Sequence, residues 1–247
     1  MGGKMRFMRL LLTLLLTLAL VGCTSAQGTP AKPPPPLPTI PAVAEGLSSQ
    51  SEGRFEAIGY LYRTPAGACL VGGLSFSQGE VPTPLSATDA IWLPDPPSLP
   101  ADAVLDSAGG VSYLIVRTRG QLSPKGSYGP GGGYAHQLTQ ATLAPLSVRD
   151  LSMKLLLDNS AIYDNQPVRL SGQIMLGVST ALLVDQLGVG GVPSSDAQQI
   201  KLVGMIEGDA LRVRLTATSG GIAHFGPVQV VGIWRRSALY LLAIIPN

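Results

Sequence analysis

Histidine and cysteine are nearly missing, with two of each in 247 residues. His136, His224, Cys23 and Cys69 leave no material for a multi-histidine metal centre or a paired-cysteine zinc site. No metal and no cofactor is expected, because the HExxH, GxSxG and Walker patterns are all missing too. Gly129-Pro130-Gly131-Gly132-Gly133 is followed by neither Lys-Ser/Thr nor a helix start, so it reads as a hairpin tip and not as a phosphate cradle. Ser194-Ser195-Asp196 reads as a turn, and Gly220 to His224 as a glycine-rich hairpin connection. An enzyme is not expected. Aromatic residues make up only 5% of the chain, thin material for stacking single-stranded bases. Seventeen Lys and Arg stand against 15 Asp and Glu, which does not support a strongly basic nucleic-acid binder.

What is present begins at the N-terminus. Lys4, Arg6 and Arg9 precede an apolar run from Leu10 to Gly22 that only Thr13 and Thr17 interrupt. About 13 apolar residues span about 20 Å as a helix, short of the roughly 20 residues a membrane crossing needs, so the layout is that of a secretion signal. Its last residues, Leu20-Val21-Gly22, are followed at once by Cys23. The tetrapeptide resembles the lipobox of bacterial lipoproteins. That resemblance implies a diacylglycerol on the Cys23 sulfur, cleavage just before it, and attachment to the cell membrane or outer membrane with the folded part outside the cytoplasm. Thr24 stands where the family's inner-membrane retention signal has Asp. With three of the 17 cations in the signal, the mature chain carries 14 against 15 acids. Cys69 is then the only thiol, no intrachain disulfide can form, and in Ala68-Cys69-Leu70-Val71 it reads as a small buried hydrophobe.

Composition divides the chain into a signal peptide (1–22), a lipidated cysteine with a Pro/Ser-rich tether (23–53), a first folded unit (54–147), a partly helical linker (148–164) and a second folded unit (165–247). Four consecutive prolines, Pro33 to Pro36, make the tether an extended spacer. The folded units are predicted all-β. RFEAIGYLYR (Arg54 to Arg63), YLIVRTRGQL (Tyr113 to Leu122), VRLSGQIML (Val168 to Leu176), IKLVGMI (Ile200 to Ile206), LRVRL (Leu211 to Leu215) and VQVVGIW (Val228 to Trp234) alternate with the period of half-buried strands. Only Ser147 to Asp158 reads as helical.

Glycines inside these strands repeat. Gly59 and Gly172 interrupt the first strand of each unit, and Gly120 and Gly232 end a Val-x-(Val/Thr)-x-Gly strand, each pair roughly 110 places apart. Glycine inside a strand relieves crowding where a small barrel bends sharply. The two units therefore resemble consecutive OB-type barrels, with VRTRGQLSPKGSYGPGGGYAHQLTQATLAPL similar to the hairpin of strands four and five. An immunoglobulin-like or other β-sandwich is the alternative, since Ser77 to Pro100 reads as a long insertion and neither unit shows a helix between strands three and four.

Candidate ligand-binding residues are the alternating pairs Arg117 with Arg119 and Arg212 with Arg214, each predicted to share one face of a strand, together with Tyr134. These readings converge on a membrane-anchored, non-enzymatic envelope lipoprotein displaying β-barrel modules for ligand binding or envelope assembly. An OB-type oligosaccharide or nucleic-acid receptor is the alternative and a cryptic hydrolase a distant third. The expected partners are the membrane, through the lipid on Cys23, and other envelope proteins or glycans; nucleic acid is not expected.

Overall fold

A computed structural model describes residues 53–76, 81–85, 90–204, 209–218 and 220–246. The signal, Cys23 and the tether up to residue 52 lie outside the described residues. In the first unit the strands are β1 (Gly53–Thr64), β2 (Gly67–Val71), β3 (Leu74–Ser75), β4 (Thr83–Pro84), β5 (Ile91–Leu93), β6 (Asp106–Ala108), β7 (Val111–Leu122) and β8 (His136–Pro145). A short β9 (Arg149–Asp150) and helix α1 (Met153–Asp158) follow. The second unit has β10 (Pro167–Leu176), β11 (Ala181–Val184), β12 (Gln199–Val203), helix α2 (Asp209–Arg214), β13 (Thr216–Ala217), β14 (His224–Arg235) and β15 (Ala238–Pro246). Among the described residues no helix is long and apolar enough to cross a membrane.

Both units are closed five-stranded barrels of the OB type, which decides against the sandwich. In barrel 1 the order is β1-β2-β5-β8-β7, closed by the pairing of β7 with β1, and the only parallel contact in that ring is β5 with β8. Barrel 2 repeats the circuit as β10-β11-β12-β15-β14, closed by β14 on β10, with β12 and β15 parallel. The glycine repeat is a repeat of register. Gly59 pairs with Val116 and Phe55 with Gly120 in barrel 1; Gly172 pairs with Val228 and Val168 with Gly232 in barrel 2. Both fourth strands shift register at the later glycine, between Arg119 and Gln121 and between Val231 and Gly232. Close approach of backbone explains the residue. A Cβ on Gly232 would lie 2.5 Å from the Tyr240 carbonyl oxygen, and one on Gly120 2.8 Å from that of Thr139.

Each barrel has its own core. Phe55, Ala57, Leu61, Leu70, Ile91, Val116 and Leu138 fill the first, and Leu170, Ile174, Leu183, Val230, Trp234 and Leu239 the second. A third cluster joins them. Ile58, Tyr60, Tyr62, Cys69 and Val71, on the outer side of β1 and β2, are buried with Val231, Ile233, Leu242 and Ala243 from the outer side of β14 and β15. β1 is thus covered on both faces through Ala57–Tyr62, where its alternation predicted a half-buried strand. The contact also has a backbone part: β3, on the excursion between β2 and β5, pairs in parallel with β15, Leu74 opposite Ala243.

Three local expectations are corrected. The stretch read as an insertion, 77–100, contains β5, the third strand of barrel 1. Leu211 to Leu215, expected as a strand, lies largely in α2, so barrel 2 does carry a helix between its third and fourth strands. Leu211 of α2 and Leu215 just after it are four apart, and both pack against the barrel 2 core. The helical span expected from Ser147 is shorter. Arg149–Asp150 pairs with β10 as β9, and α1 starts only after Ser152, whose hydroxyl accepts from the Leu155 amide at 3.2 Å. Met153 and Leu156 of α1 belong to the core of barrel 2.

Candidate functional site

The pleat of β7 turns out as its sequence implies. Val116, Thr118 and Leu122 are buried, while Arg117, Arg119 and Gln121 face outward. Both arginines converge on Glu56 of β1. Its carboxylate accepts from Arg117 Nε at 2.8 Å and pairs with Arg117 Nη2 at 2.6 Å and Arg119 Nε at 2.5 Å. The Arg119 hydrogen bond, then that from Arg117 and the charge of both, holds the Glu56 carboxyl below its usual range against the effect of burial. Part of the positive charge that was to recognise a ligand is therefore neutralised within the sheet.

The other predicted residues do not join them. Arg212 and Arg214 share no strand face; they are exposed on α2 of barrel 2. Tyr134 packs its ring on Trp92, 5.2 Å between centroids, and Gly129 with φ +67 brings the same loop against both rings. Burial, with the neighbouring Cys69, pushes the Tyr134 hydroxyl up to about 12. The Cys69 thiol is pushed up to about 11 by burial, opposed by the Tyr134 hydroxyl. In OB-type folds ligands commonly lie over the second and third strands. In barrel 1 that surface carries Cys69, Val71 and Trp92, and the 123–135 loop and barrel 2 already cover it. In barrel 2 it is formed by ALLV and QIKLV, without a ring to stack on.

A shallow concavity of about 340 Å³ lies beside Arg119, lined also by Arg54, Gln121 and Gln140, and another lies elsewhere. A cleft of about 570 Å³ runs along the outer side of β1 and β7, a size typical of small-molecule sites. Tyr60, Tyr113 and Ile115 form its floor, Asp102, Val104 and Asp106 one wall, and Pro145 to Val148 the other. Register places the groups. Asp106 of β6 is directly opposite Tyr113 of β7, and Tyr60 of β1 directly opposite Ile115. The Ala103 amide bonds the Pro100 carbonyl at 3.0 Å, closing the turn that carries Asp102. The Leu146 amide bonds the Ile115 carbonyl at 2.9 Å and holds the far wall.

Tyr113 is fixed by edge-to-face contacts with Tyr60, 6.2 Å between centroids, and Phe76, 5.6 Å. Burial raises the Tyr60 hydroxyl, and the charges of Tyr113 and Asp106 raise it further while Arg169 opposes them; burial and Asp106 do the same to Tyr113. Both phenols stay protonated at neutral pH. The cleft thus offers two carboxylate acceptors, two phenols and apolar walls. Arg169 reaches this region from barrel 2 and is paired with Asp150 at 3.2 Å. In the sequence Tyr60 and Tyr113 stand out only as members of the alternating strands Arg54 to Arg63 and Tyr113 to Leu122. Asp102 and Asp106 follow a proline-rich stretch with no motif, and topology alone brings them beside Tyr60 and Tyr113. Among the described residues no group of three or more His, Cys, Asp and Glu is placed to hold a metal.

Comparison with known protein families, with curated proteins and with solved structures finds no match.

Proposed function

We propose that the chain is a lipid-anchored, non-enzymatic binding protein of the cell envelope, and that the cleft between β6, β7 and the 145–148 segment takes a donor-rich ligand, a sugar unit of an envelope glycan. The observation that supports this most is the lining of that cleft. Carboxylates at Asp102 and Asp106 accept from neighbouring hydroxyls, and the Tyr60 and Tyr113 rings suit the apolar face of a sugar. The same two carboxylates repel phosphates, which weighs against the nucleic-acid reading of an OB-type barrel. The anchor is supported by Leu20-Val21-Gly22-Cys23 and by the proline-rich stretch behind it, and two or more lipid chains hold a protein on a membrane where one barely does.

Two experiments test the two halves of the proposal. Metabolic labelling with a fatty-acid probe should mark the wild-type chain and not Cys23→Ser, which should accumulate as precursor; continued labelling of the variant removes the anchor. A glycan array and an oligonucleotide array, probed with the purified chain and with Asp106→Asn, should show glycan signal that weakens about tenfold or more in the variant, since one charge-assisted hydrogen bond is worth about 1.5–3 kcal/mol. Signal on oligonucleotides alone, or glycan signal indifferent to Asp106, refutes the cleft.

A further inference from the structure

One end of barrel 2 is unlike the rest of the surface. Eight large apolar side chains are exposed among the described residues, and four of them, Val178 (88%), Val189 (101%), Val192 (62%) and Ile222 (72%), come from barrel 2 loops. Register brings these loops together. Val178 follows Leu176, the last residue of β10, and Leu176 pairs with His224, two residues beyond Ile222. Val189 and Val192 flank Gly191, and Gly191 lies on the ring of Phe225, one rung further along the same pair of strands. That contact is tight enough to pin the loop. Gly191 has φ +77, and a Cβ there would meet Phe225 Cε1 at 2.3 Å, so no other residue lets the loop close down on the ring. A single exposed valine is ordinary. Four aliphatic tips from three separate loops, gathered at two adjacent rungs, are a surface.

Two arginines stand beside it. Arg212 and Arg214 are exposed on α2, which runs into Thr216, the partner of Phe225, while Leu215 lies against Gly226. The acids of the valine loop, Asp185 and Asp196, belong to its base, where Asp185 accepts the Gln198 amide at 2.8 Å. Aliphatic tips bordered by arginine are the combination that settles on an anionic lipid surface: the tips enter the headgroup boundary and the guanidiniums meet phosphates. A bilayer is also within reach. Under the proposed anchor, about 30 residues of sequence separate the lipid on Cys23 from Gly53, a contour length of at most about 90 Å at about 3.1 Å per residue.

We propose that the 178/189–192/222 end of barrel 2 docks on the anionic bilayer that holds the Cys23 lipid, and that Arg212 and Arg214 act there as headgroup contacts. This rests on the lipid-anchored reading for the proximity of a bilayer. The test uses the full lipidated chain with one environment-sensitive fluorophore at Val189→Cys, the buried Cys69 being out of reach of the label. The control is Ile162→Cys, on an exposed residue outside barrel 2's loops. In vesicles of phosphatidylethanolamine and phosphatidylglycerol, the label at 189 should shift to the blue and be quenched by spin-labelled lipid, and the label at 162 should do neither. Arg212→Gln with Arg214→Gln should lower the docked fraction, by about fivefold in the docking equilibrium per arginine removed. Flotation of the same samples reports the anchor separately. A chain that floats while the 189 label stays in water overturns the docking surface and leaves the anchor standing. An unlipidated Cys23→Ser chain that floats as well as the lipidated one and still shifts its emission loses the anchor and keeps the surface. Equal signals at 189 and 162, or a shift that needs a protein extract and not lipid, overturn it.

Discussion

The two register-shift glycines make different demands from glycines in loops, and Gly232→Ala is the sharpest test of the barrel geometry. The added methyl would sit 2.5 Å from the Tyr240 carbonyl oxygen and 2.8 Å from Leu239 Cγ, and only the second neighbour can move without dragging the backbone. Leu239 is itself fully buried in the barrel 2 core, so even that movement meets packed atoms. Overpacking of this kind costs about 1–3 kcal/mol. For a folded region of roughly 195 residues that lowers the melting temperature by about 2–4 °C per kcal/mol. Gly133→Ala is the matched control. Its Cβ would find only the Pro130 carbonyl oxygen at 3.6 Å, an ordinary contact, and its φ is −72°. There the lost freedom of the unfolded chain should raise stability by about 0.4–1 kcal/mol. Urea titration of the full chain and the two variants, with the midpoint read by the fluorescence of Trp92 and Trp234, measures both. If Gly232→Ala comes within 0.5 kcal/mol of wild type, on the order of an ordinary surface change, the close pairing of β14 with β15 is wrong and the register repeat loses its physical cause.

Four further outcomes rest on the same geometry. The fragment 165–247, which the sequence suggests as a self-contained unit, should not behave as a monomer, because it bares Val231, Ile233, Leu242 and Ala243 and gives up the β3 partner of β15; a cooperative monomeric melt would show that the shared core is dispensable. Arg117→Ser with Arg119→Ser should cost no more than about 1 kcal/mol at neutral pH, as pairs this exposed are screened by solvent. Because the Glu56 pKa is lowered in the folded state, that difference should be present above the ordinary carboxylate range and fade as pH falls through the lowered value, whereas Val116→Asp, placing a charge at a fully buried site, should unfold barrel 1 at any neutral pH. Cys69, pushed up to about 11 by burial, should resist a thiol reagent at pH 8 in the folded chain and react at once in urea; rapid labelling of the folded chain would place it at the surface.

The strands most legible in the sequence are those carrying a glycine at a fixed place, since Gly120, Gly172 and Gly232 answer to local backbone crowding and Gly59 holds in barrel 1 the register position that Gly172 holds in barrel 2. β5 was not legible. Ile91-Trp92-Leu93 is too short to display a period, and the prolines around it read as loop. LRVRL failed for a different reason: Leu211 and Leu215 fit a period of two as well as a helical turn, and packing on the barrel 2 core decides between them. The joint between the barrels did leave a trace in Ile58-Gly59-Tyr60-Leu61-Tyr62, where both faces of the strand are apolar, the mark of two-sided burial. The cleft left none, because Asp106, Tyr60 and Tyr113 meet only through strand pairing and Asp102 only through the turn at 100–103.

The described fold begins with β1 at Gly53, and under the proposed N-terminal anchor that has a mechanical meaning. β1 is paired along its length with β7, from Gly53–Leu122 to Arg63–Ser112, and over its second half with β2 as well. The bonds of such ladders lie across the strand. A pull on the N-terminal segment, from drag on the folded part or from a partner held at a distance, acts along β1 and loads these bonds together in shear instead of opening them one by one. The strand that would have to slide also holds Ile58, Tyr60 and Tyr62 in the joint between the barrels. The residue that follows the N-terminal segment is therefore the start of a strand paired along its whole length and packed on both faces, and a load applied there should be resisted by the full β1–β7 ladder at once.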